Sequence, residues 1–599
     1  MGRRSTGVRW FSPKVLAKTG ALTAGFALFD SFFDKRELQG GLPSTLAVPP
    51  PTPGSTGFVP TLALEPARPS VPGAPSEIWI SFGADTGDAD DSTEAFAAAL
   101  LGPLAVPARD YRPVDLVILG GDEVYPVASK DQYQQRFLEP WATGAERVGD
   151  PPTPVLALPG NHDWYDGLNA FLRVFTQGGH LGRSNATLPQ GRSYWTVELP
   201  GNLWIWGADI EFGTDVDGPQ RTYFQQAAAE MAARVAEVVD GKGTVTRERE
   251  PGRVILCVSK PFWYYDDPER QHNVAFLEHV AEEGQGSVIA ILTGDQHHYA
   301  HFEHLESGQH RITSGGGGAF CHPTHQIWDD GDRLAYDIGG DSRTLVPREA
   351  MVPTADESKR MGWGLVAFPW RNPSFLAVPA VVALLYLMIA FTTPQVRFEL
   401  SSTTSVSRSF EAAMASFGSI DSILTVLVGS PAAIVLDAVL VGLLVAFAMP
   451  GGNRNRSRKT KWILGGFHAA LWFLAMSGAI WLSALIAPDE GWAVGVVTVG
   501  GTLVLGALFG SIAMVVFLAL SWGRCRWNGN EVFSAIRRND LVHLLRIQVT
   551  GHEVVFHPIR LDPTGAGDGP QTDTSASSTA SAIEEPFVLS GPSRGEERS

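Results

Sequence analysis

The chain has 599 residues, which is enough for more than one domain. It carries 46 Lys and Arg against 63 Asp and Glu, and the net charge of -17 argues against non-specific nucleic-acid binding. The three cysteines, Cys257, Cys321 and Cys525, form neither a Cys-x-x-Cys zinc pattern nor a disulfide framework. Their sparse use is typical of a protein from a reducing compartment.

The first 76 residues contain no motif that carries chemistry. In residues 1–40, Arg3, Arg4, Lys14 and Lys18 precede a short apolar run at 20–29. We interpret this region as an amphipathic segment that lies on a membrane. A signal peptide or an additional crossing is the alternative, and either would put the following domain on the other side. Residues 41–76 are rich in Pro, Gly, Ser and Thr, which predicts an extended linker.

Four apolar runs farther along the chain each end in a polar turn, a pattern that predicts buried strands. The runs cover 77–83, 115–119, 154–159 and 287–292. The turns that follow them read Asp85-Thr86-Gly87, Gly121-Asp122-Glu123-Val124-Tyr125, Gly160-Asn161-His162-Asp163 and Gly294-Asp295-Gln296-His297. Because α/β folds place their chemistry at the carboxyl ends of strands, we expect these turns to meet at one rim.

The side chains of these turns are a set of metal ligands. Carboxylate, amide and imidazole groups together suit Mn, Fe or Zn better than an all-oxygen calcium site. A carboxylate such as Asp122 can bridge two ions. Two ions about 3.5–4 Å apart would hold a hydroxide and clamp the oxygens of a displacement at phosphorus.

The four motifs in this order resemble the calcineurin-like metallophosphoesterases. The Asp-x-Gly start and the tyrosine after Gly-Asp-x-x are closest to the purple acid phosphatase variant. The resemblance covers roughly residues 77–325 and implies an α/β fold, a four-layer sandwich of two sheets flanked by helices, in a domain that we assign to residues 77–370.

The resemblance also implies a metal centre of two ions, with Mn, Fe or Zn expected and Mg as a further option. Asp85, Asp122, Tyr125 and His297 would hold the first ion. Asp122 would bridge to the second ion together with Asn161.

Four further residues are assigned to chemistry or to the substrate. The resemblance implies that His162 donates to the phosphate and that Asp163 orients His162. His298 is a candidate phosphate contact, and Lys260 is a candidate source of positive charge in place of an ion.

Two positions depart from the family pattern. The family usually has His where Ser259 stands, two residues before Pro261, and usually has His where Asp295 stands. The second ion therefore loses up to two imidazoles and gains one possible carboxylate ligand, Asp295. Either the site prefers a harder ion such as Mn or Mg, or the second ion is weakly held, or only binding remains.

The region 371–522 predicts a transmembrane domain with four helices. Apolar stretches cover 375–393, 431–449, 462–486 and 493–522, and each approaches or exceeds the ~20 residues that cross a bilayer. Asp437 lies inside the second stretch and is either a functional acid or the partner of another helix. Residues 523–562 predict a small cytoplasmic module, and residues 563–599 a disordered tail.

The charged loop between the second and third stretches sets the orientation. It contains Arg454, Arg456, Arg458, Lys459 and Lys461, so it is expected in the cytoplasm. Two crossings on either side then put both flanking regions in the cytoplasm as well. The protein would be a multi-pass membrane protein with a cytoplasmic catalytic domain.

These observations favour a membrane-anchored, metal-dependent phosphoesterase that hydrolyses a phosphate ester through a metal-bound hydroxide. Its substrate would be a phosphoester, either lipid-linked at the membrane surface or soluble. One alternative is a catalytically degenerate membrane sensor that binds metal or phosphate. A second is a transporter or channel with an accessory domain.

Overall fold

The computed structural model describes residues 7–22, 39, 61–65, 76–107, 109–211, 216–239, 245–264, 268–327, 334–338, 341–348, 350–392, 397–398, 401, 419, 421, 430–448, 458–488, 492–561 and 580–589. The chain divides into two units. Unit 1 contains Met1–Val8, Thr19–Ser358 and Arg538–Ser599, and unit 2 contains Arg9–Lys18 and Lys359–Arg537. Most of the predicted amphipathic segment and linker lies outside the described residues. Residues 13–22 are helical, and residues 61–63 form a strand.

The strands among the described residues all belong to unit 1. In chain order they are β1 (Thr61–Ala63), β2 (Glu77–Gly83), β3 (Leu104–Val106), β4 (Arg109–Tyr111), β5 (Leu116–Leu119), β6 (Val155–Ala157), β7 (Trp195–Leu199), β8 (Leu203–Gly207), β9 (Val235–Val239), β10 (Val245–Arg249), β11 (Gly252–Cys257), β12 (Gly286–Thr293), β13 (Tyr299–His304), β14 (His310–Ser314), β15 (Leu334–Ile338), β16 (Asp341–Pro347), β17 (His543–Thr550), β18 (Glu553–Leu561), β19 (Ala580–Ala582) and β20 (Phe587–Leu589).

Two large mixed sheets organise unit 1. The nine-stranded sheet has the order β1-β7-β8-β11-β12-β14-β13-β16-β15, and the seven-stranded sheet has the order β19-β18-β17-β2-β5-β6 with β20 on β18. Strands β2, β5 and β6 are mutually parallel, as are β8, β11, β12 and β14. Strands β2, β5, β6 and β11 are almost wholly buried, which explains why the sequence shows continuous apolar runs there rather than alternation.

Helices pack against each sheet. Those of unit 1 are Asp90–Leu101, Lys130–Gln132, Glu139–Arg147, Asn161–Trp164, Asn169–Phe175, Gly218–Ala232 and Pro268–Glu283, with a π-helical turn at Tyr133–Leu138 and a 3-10 turn at Phe262–Tyr264. Helix Ala355–Met361 contains the boundary between the units. One core joins Trp79 of β2 to Phe96 and Trp141, and a second joins Trp206 of β8 to Phe224. Sheets with packed helices fit the expected metallophosphoesterase fold.

The region after residue 537 differs from its prediction as a separate module and a disordered tail. Strand β17 pairs antiparallel with β2, with Ile547 opposite Ile80. Strands β19 and β20 both pair with β18. The described part of the C-terminal region therefore completes the sheet of unit 1, because its alternating apolar residues are buried only when it pairs with β2.

Unit 2 is helical in the described residues. Its elements are Gly362–Ala367, Phe368–Arg371, Pro373–Leu376, Ala377–Ala390, Pro431–Phe447, Arg458–Leu485, Ala493–Cys525 and Gly529–Ile536. Three apolar segments are long enough to cross a membrane, namely Pro373–Ala390, Lys459–Leu485 and Ala493–Cys525. Among the described residues the structure thus supports three spanning helices rather than the predicted four. Helix Pro431–Phe447 has 17 residues and extends only about 25 Å.

Packing within unit 2 has the features of a membrane bundle. A β-carbon at Gly506 would collide with Ala383, so this glycine permits close approach of helices 377–390 and 493–525. Val435, Ile463 and Val504 are 64%, 69% and 68% exposed, as suits side chains that face lipid. Asp437 accepts a hydrogen bond from the Tyr386 hydroxyl, so the intramembrane acid has a partner on a neighbouring helix.

Strand β20 provides a stability test. Phe587 is 7% exposed and its ring stacks on that of Phe556 at 5.4 Å, whereas Val588 is 51% exposed. Phe587→Ala should lower the free energy of unfolding by about 3 kcal/mol. The matched change Val588→Ala should stay within about 0.5 kcal/mol. Thermal unfolding of the full chain in detergent measures both, and equal shifts would show that β20 does not pack as described.

Candidate metal centre and active site

The predicted site residues come from the carboxyl ends of parallel strands in both sheets. Asp85 follows β2, Asp122 follows β5 and Asn161 follows β6, and these strands are neighbours. His297 follows β12 of the other sheet. The strand order therefore brings turns that are far apart in sequence to one rim.

Three aspartates of the site share an uncommon backbone conformation. Asp85, Asp122 and Asp295 have φ angles of 64°, 56° and 61°. Left-handed conformations are costly for residues other than glycine and concentrate at functional sites. Hydrogen bonds between the turns stabilise them, because the Asp85 amide donates to the Gly121 carbonyl at 3.0 Å.

The Tyr125 hydroxyl lies at the point where three other side chains converge. It is 2.9 Å from Asp85 Oδ1, 3.2 Å from Asp122 Oδ2 and 3.0 Å from His297 Nε2. His297 Nε2 is in turn 3.6 Å from Asp85 Oδ1. The structure thus brings together all four residues that were assigned to the first ion.

These four groups hold too few protons to satisfy one another. His297 Nδ1 lies 2.6 Å from the Phe320 carbonyl, which only accepts, so the ring proton belongs on Nδ1 and Nε2 is an acceptor. The single Tyr125 proton therefore serves three acceptors. Asp85 Oδ2 is also buried without a hydrogen-bond partner. A cation bound between Asp85 Oδ1, Asp122 Oδ2 and His297 Nε2 would satisfy these three acceptors.

Burial and charge repulsion act in the same direction. Burial, followed by the charge of Asp295, raises the pKa of Asp85 well above its usual value. Burial, followed by the charges of Asp163 and Asp85, raises the pKa of Asp122 likewise. Burial and the same two carboxylates, Asp122 and Asp85, raise the pKa of Tyr125. Such a cluster requires either added protons or a positive ion.

The spacing of the four atoms also fits an ion. Adjacent ligands of an octahedral ion with ~2.1 Å bonds lie about 3 Å apart. Across the described chain, His, Cys, Asp and Glu alone do not form a group of three that could hold a metal. The convergence at this site depends on a tyrosine hydroxyl in addition to those residue types.

Asp163 was predicted to orient His162, but its carboxylate contacts other groups. Its Oδ2 accepts hydrogen bonds from the amides of Gly160 and Asp122, both at 2.9 Å, and its Oδ1 accepts from the Tyr133 hydroxyl at 2.6 Å. The carboxylate thus joins the turn after β5 to the turn after β6. Asp163 positions the backbone of the site, and these contacts do not orient the His162 ring.

The Pro126 carbonyl orients His162 instead. His162 Nδ1 lies 2.8 Å from this carbonyl oxygen, so the ring donates there from Nδ1 and Nε2 is the acceptor nitrogen of the neutral ring. The ring packs between Tyr125 and Tyr165, with centroid distances of 4.5 and 5.1 Å. Burial lowers the pKa of His162 to about 4, so the imidazole is neutral at pH 7.

Two other predicted residues lie beside the four-atom cluster. The amide nitrogen of Asn161 donates to the Tyr165 hydroxyl at 3.2 Å. His298, the candidate phosphate contact, is 1% exposed, and its Nε2 lies 3.4 Å from the Tyr264 hydroxyl. That burial puts His298 in the packing around the site rather than at its surface.

Lys260 and Asp295 form an ion pair. Lys260 Nζ lies 3.4 Å from Asp295 Oδ1 and 3.9 Å from Glu211 Oε1. The Ser259 hydroxyl donates to Glu211 Oε2 at 2.9 Å. Lys260 follows β11 and Glu211 follows β8, so this group also comes from the ends of neighbouring parallel strands.

The glycine run after β14 passes close to the site. A β-carbon at Gly315 would collide with the Asp85 carboxylate and with the backbone of Gln296. Only glycine leaves room for Asp85 and for the turn that carries His297.

Several contributors were not identified from the sequence. Glu211 has no motif around it, and only the pairing of β8 with β11 brings it to Lys260. The carbonyls of Pro126 and Phe320 carry no sequence signal either, since any residue supplies a carbonyl. Tyr133 was detectable only as an aromatic residue near the second motif.

Comparisons with known proteins agree with the geometry at the level of the domain. Residues 84–299 match the family model described as calcineurin-like phosphoesterase. No curated protein matches the chain. A solved structure described as "GAP50 the anchor in the inner membrane complex of Plasmodium" is 12% identical over 41% of this chain and 74% of that chain, with a TM-score of 0.29. A similarity at that level has no functional meaning.

The role of Asp163 can be tested by removing its carboxylate. Asp163→Ala leaves the buried amides of Gly160 and Asp122 without an acceptor. We expect a loss of about 3 kcal/mol in the free energy of unfolding, seen as a lower melting temperature. The control Asp131→Ala removes an exposed carboxylate and should have almost no effect. If both variants melt like the wild type, Asp163 does not hold the two turns together.

Proposed function

We propose that the calcineurin-like phosphoesterase domain of this protein hydrolyses a phosphate ester in a metal-dependent reaction. The observation that carries the proposal is the convergence of Asp85, Asp122, Tyr125 and His297 on one point with a shortage of protons. The tyrosine in this set supports a site of the purple acid phosphatase type.

The four residues would hold one metal ion. Bound there, the ion would supply the positive charge that phosphoryl transfer requires. The chain itself fixes the ligands before any ion binds, because Asp163 holds the turns and the Phe320 carbonyl sets the tautomer of His297. Two carboxylates, a phenol and one imidazole suit Mn, Fe or Zn.

His162 is the residue that would move a proton. Its Nδ1 donates to the Pro126 carbonyl, so Nε2 of the neutral ring is an acceptor. A phosphate oxygen next to the ring would raise the pKa of His162, because a negative charge favours the imidazolium. His162 would then donate from Nε2 to the phosphate only after the substrate binds.

The same proposal includes a membrane location with the catalytic domain in the cytoplasm. Three apolar helices of unit 2 are long enough to span a bilayer. Strands β2 and β17, which flank that region in sequence, are paired in one sheet and so lie on one side of the membrane. The chain between them must cross an even number of times. Helix Pro431–Phe447, at the lower limit of spanning length, would complete four crossings.

The charged loop favours the cytoplasmic side for both flanking regions. Arg458, Lys459 and Lys461 lie at the start of helix Arg458–Leu485, before its apolar stretch, and Arg454 and Arg456 precede the helix, outside the described residues. An anchored domain would favour phosphoesters presented at the membrane surface, such as phospholipid headgroups.

Activity should depend on the ligands and on an added ion. The full chain, purified in detergent and assayed on para-nitrophenyl phosphate with Mn, Fe, Zn or Mg, should release phosphate. Asp122→Asn removes a charged ligand and should lower kcat/KM by at least about a hundredfold. Asp131→Asn, an exposed change of the same kind, should leave kcat/KM unchanged.

Two other outcomes of this assay are informative. Full activity of Asp122→Asn would refute the site. Binding of Mn and inorganic phosphate without turnover would instead favour the alternative, a membrane sensor that has kept the fold and lost the chemistry.

The topology has its own test. A fluorescent protein that matures only in the cytoplasm should be bright when fused after Ser599 or before Glu77. Opposite results at the two positions would contradict an even number of crossings. If both fusions are dark, the number of crossings is still even, but both flanking regions lie on the side away from the cytoplasm.

A further inference from the structure

The group around Lys260 lies next to the four-residue cluster. A β-carbon at Gly121 would lie 3.1 Å from the Ser259 β-carbon, so the turn after β11 touches the turn that carries Asp122. The Gly294 amide donates to the Ser259 carbonyl at 3.1 Å, which joins the same turn to the one that carries Asp295. The turn that carries Lys260 therefore lies beside the turns that carry Asp122 and Asp295.

The charged side chains at this position already pair with one another. Glu211 and Asp295 are carboxylates whose side chains are 3% and 14% exposed, and the ammonium of Lys260 lies within 4.0 Å of both. The Ser259 hydroxyl uses its proton on Glu211. A carboxylate that is paired with an ammonium and accepts a hydroxyl proton is a poor free ligand for a metal ion.

We propose that the Lys260 ammonium takes the place of a second metal ion, held by Asp295 and Glu211, so that each chain binds one ion. This rests on the proposed function of the cluster at Asp85, Asp122, Tyr125 and His297. An ammonium has three donors and one positive charge, which suits contact with a phosphate oxygen. Lys260 is 21% exposed in its side chain, so a ligand can reach it. The family generally uses a dinuclear centre, and this chain would differ in having one ion and one lysine.

The number of ions per chain tests the proposal without any measurement of activity. The full chain in detergent is freed of metal with a chelator and dialysed against Mn²⁺ alone, and the bound ions are counted by elemental analysis. Wild type should bind one Mn²⁺ per chain. Lys260→Ala frees both carboxylates and should bind a second Mn²⁺, whereas Lys260→Arg keeps the charge and should bind one. The control Lys130→Ala, an exposed lysine of the same unit, should also bind one.

A second readout tests contact with phosphate. Inorganic phosphate titrated into Mn²⁺-loaded protein should bind at least about tenfold more weakly to Lys260→Ala than to wild type, with partial recovery in Lys260→Arg. Lys130→Ala should bind phosphate like wild type.

The outcomes separate this inference from the proposed function. Two Mn²⁺ per wild-type chain would overturn the lysine substitution and leave the proposed function standing. One Mn²⁺ in both wild type and Lys260→Ala would also overturn it, because the ammonium would not be what excludes the second ion. No Mn²⁺ in wild type would overturn both. If Lys260→Ala does not fold, two measurements still test the inference. They are the number of Mn²⁺ ions bound per wild-type chain and the phosphate affinity of Lys260→Arg.

Discussion

The Tyr125 hydroxyl, surrounded by three acceptors, is the interaction on which the account of this protein depends. Asp85, Asp122 and His297 each direct an acceptor atom to it, and the hydroxyl has one proton to give. Inside a protein an unsatisfied acceptor is costly, and two neighbouring carboxylates are costlier. This point in the interior of the fold is the proposed binding site for a cation.

The rest of unit 1 keeps these atoms in place. Asp163 joins the turns after β5 and β6, the Phe320 carbonyl fixes the His297 ring, and the Pro126 carbonyl fixes the His162 ring. Both sheets contribute, since β2 and β5 belong to one and β12 to the other. The C-terminal strand β17 completes the first sheet beside β2. Strand β2, which precedes Asp85, therefore has both of its neighbours, β5 and β17, only when the segment after unit 2 has joined the sheet.

Features that depend on local sequence were predictable, and features that depend on distant pairing were not. Asp85, Asp122, Tyr125 and His297 follow apolar runs directly, and the structure brings them together. Residues 523–562 were predicted as a small separate module, but the pairing of β17 with β2 joins residues more than 450 positions apart. Glu211 was not identified from the sequence either, because only the pairing of β8 with β11 brings it to Lys260. The stretch at 431–449 was apolar as predicted, yet its helix has only 17 residues.

The central claim is that a cation binds between these four side chains. Anomalous diffraction from crystals of the full chain grown with Mn²⁺ tests it most directly. The account predicts a peak whose nearest protein atoms are Asp85 Oδ1, Asp122 Oδ2, Tyr125 OH and His297 Nε2. The absence of a peak there, with the tyrosine hydroxyl still within hydrogen-bond distance of its three neighbours, would contradict it.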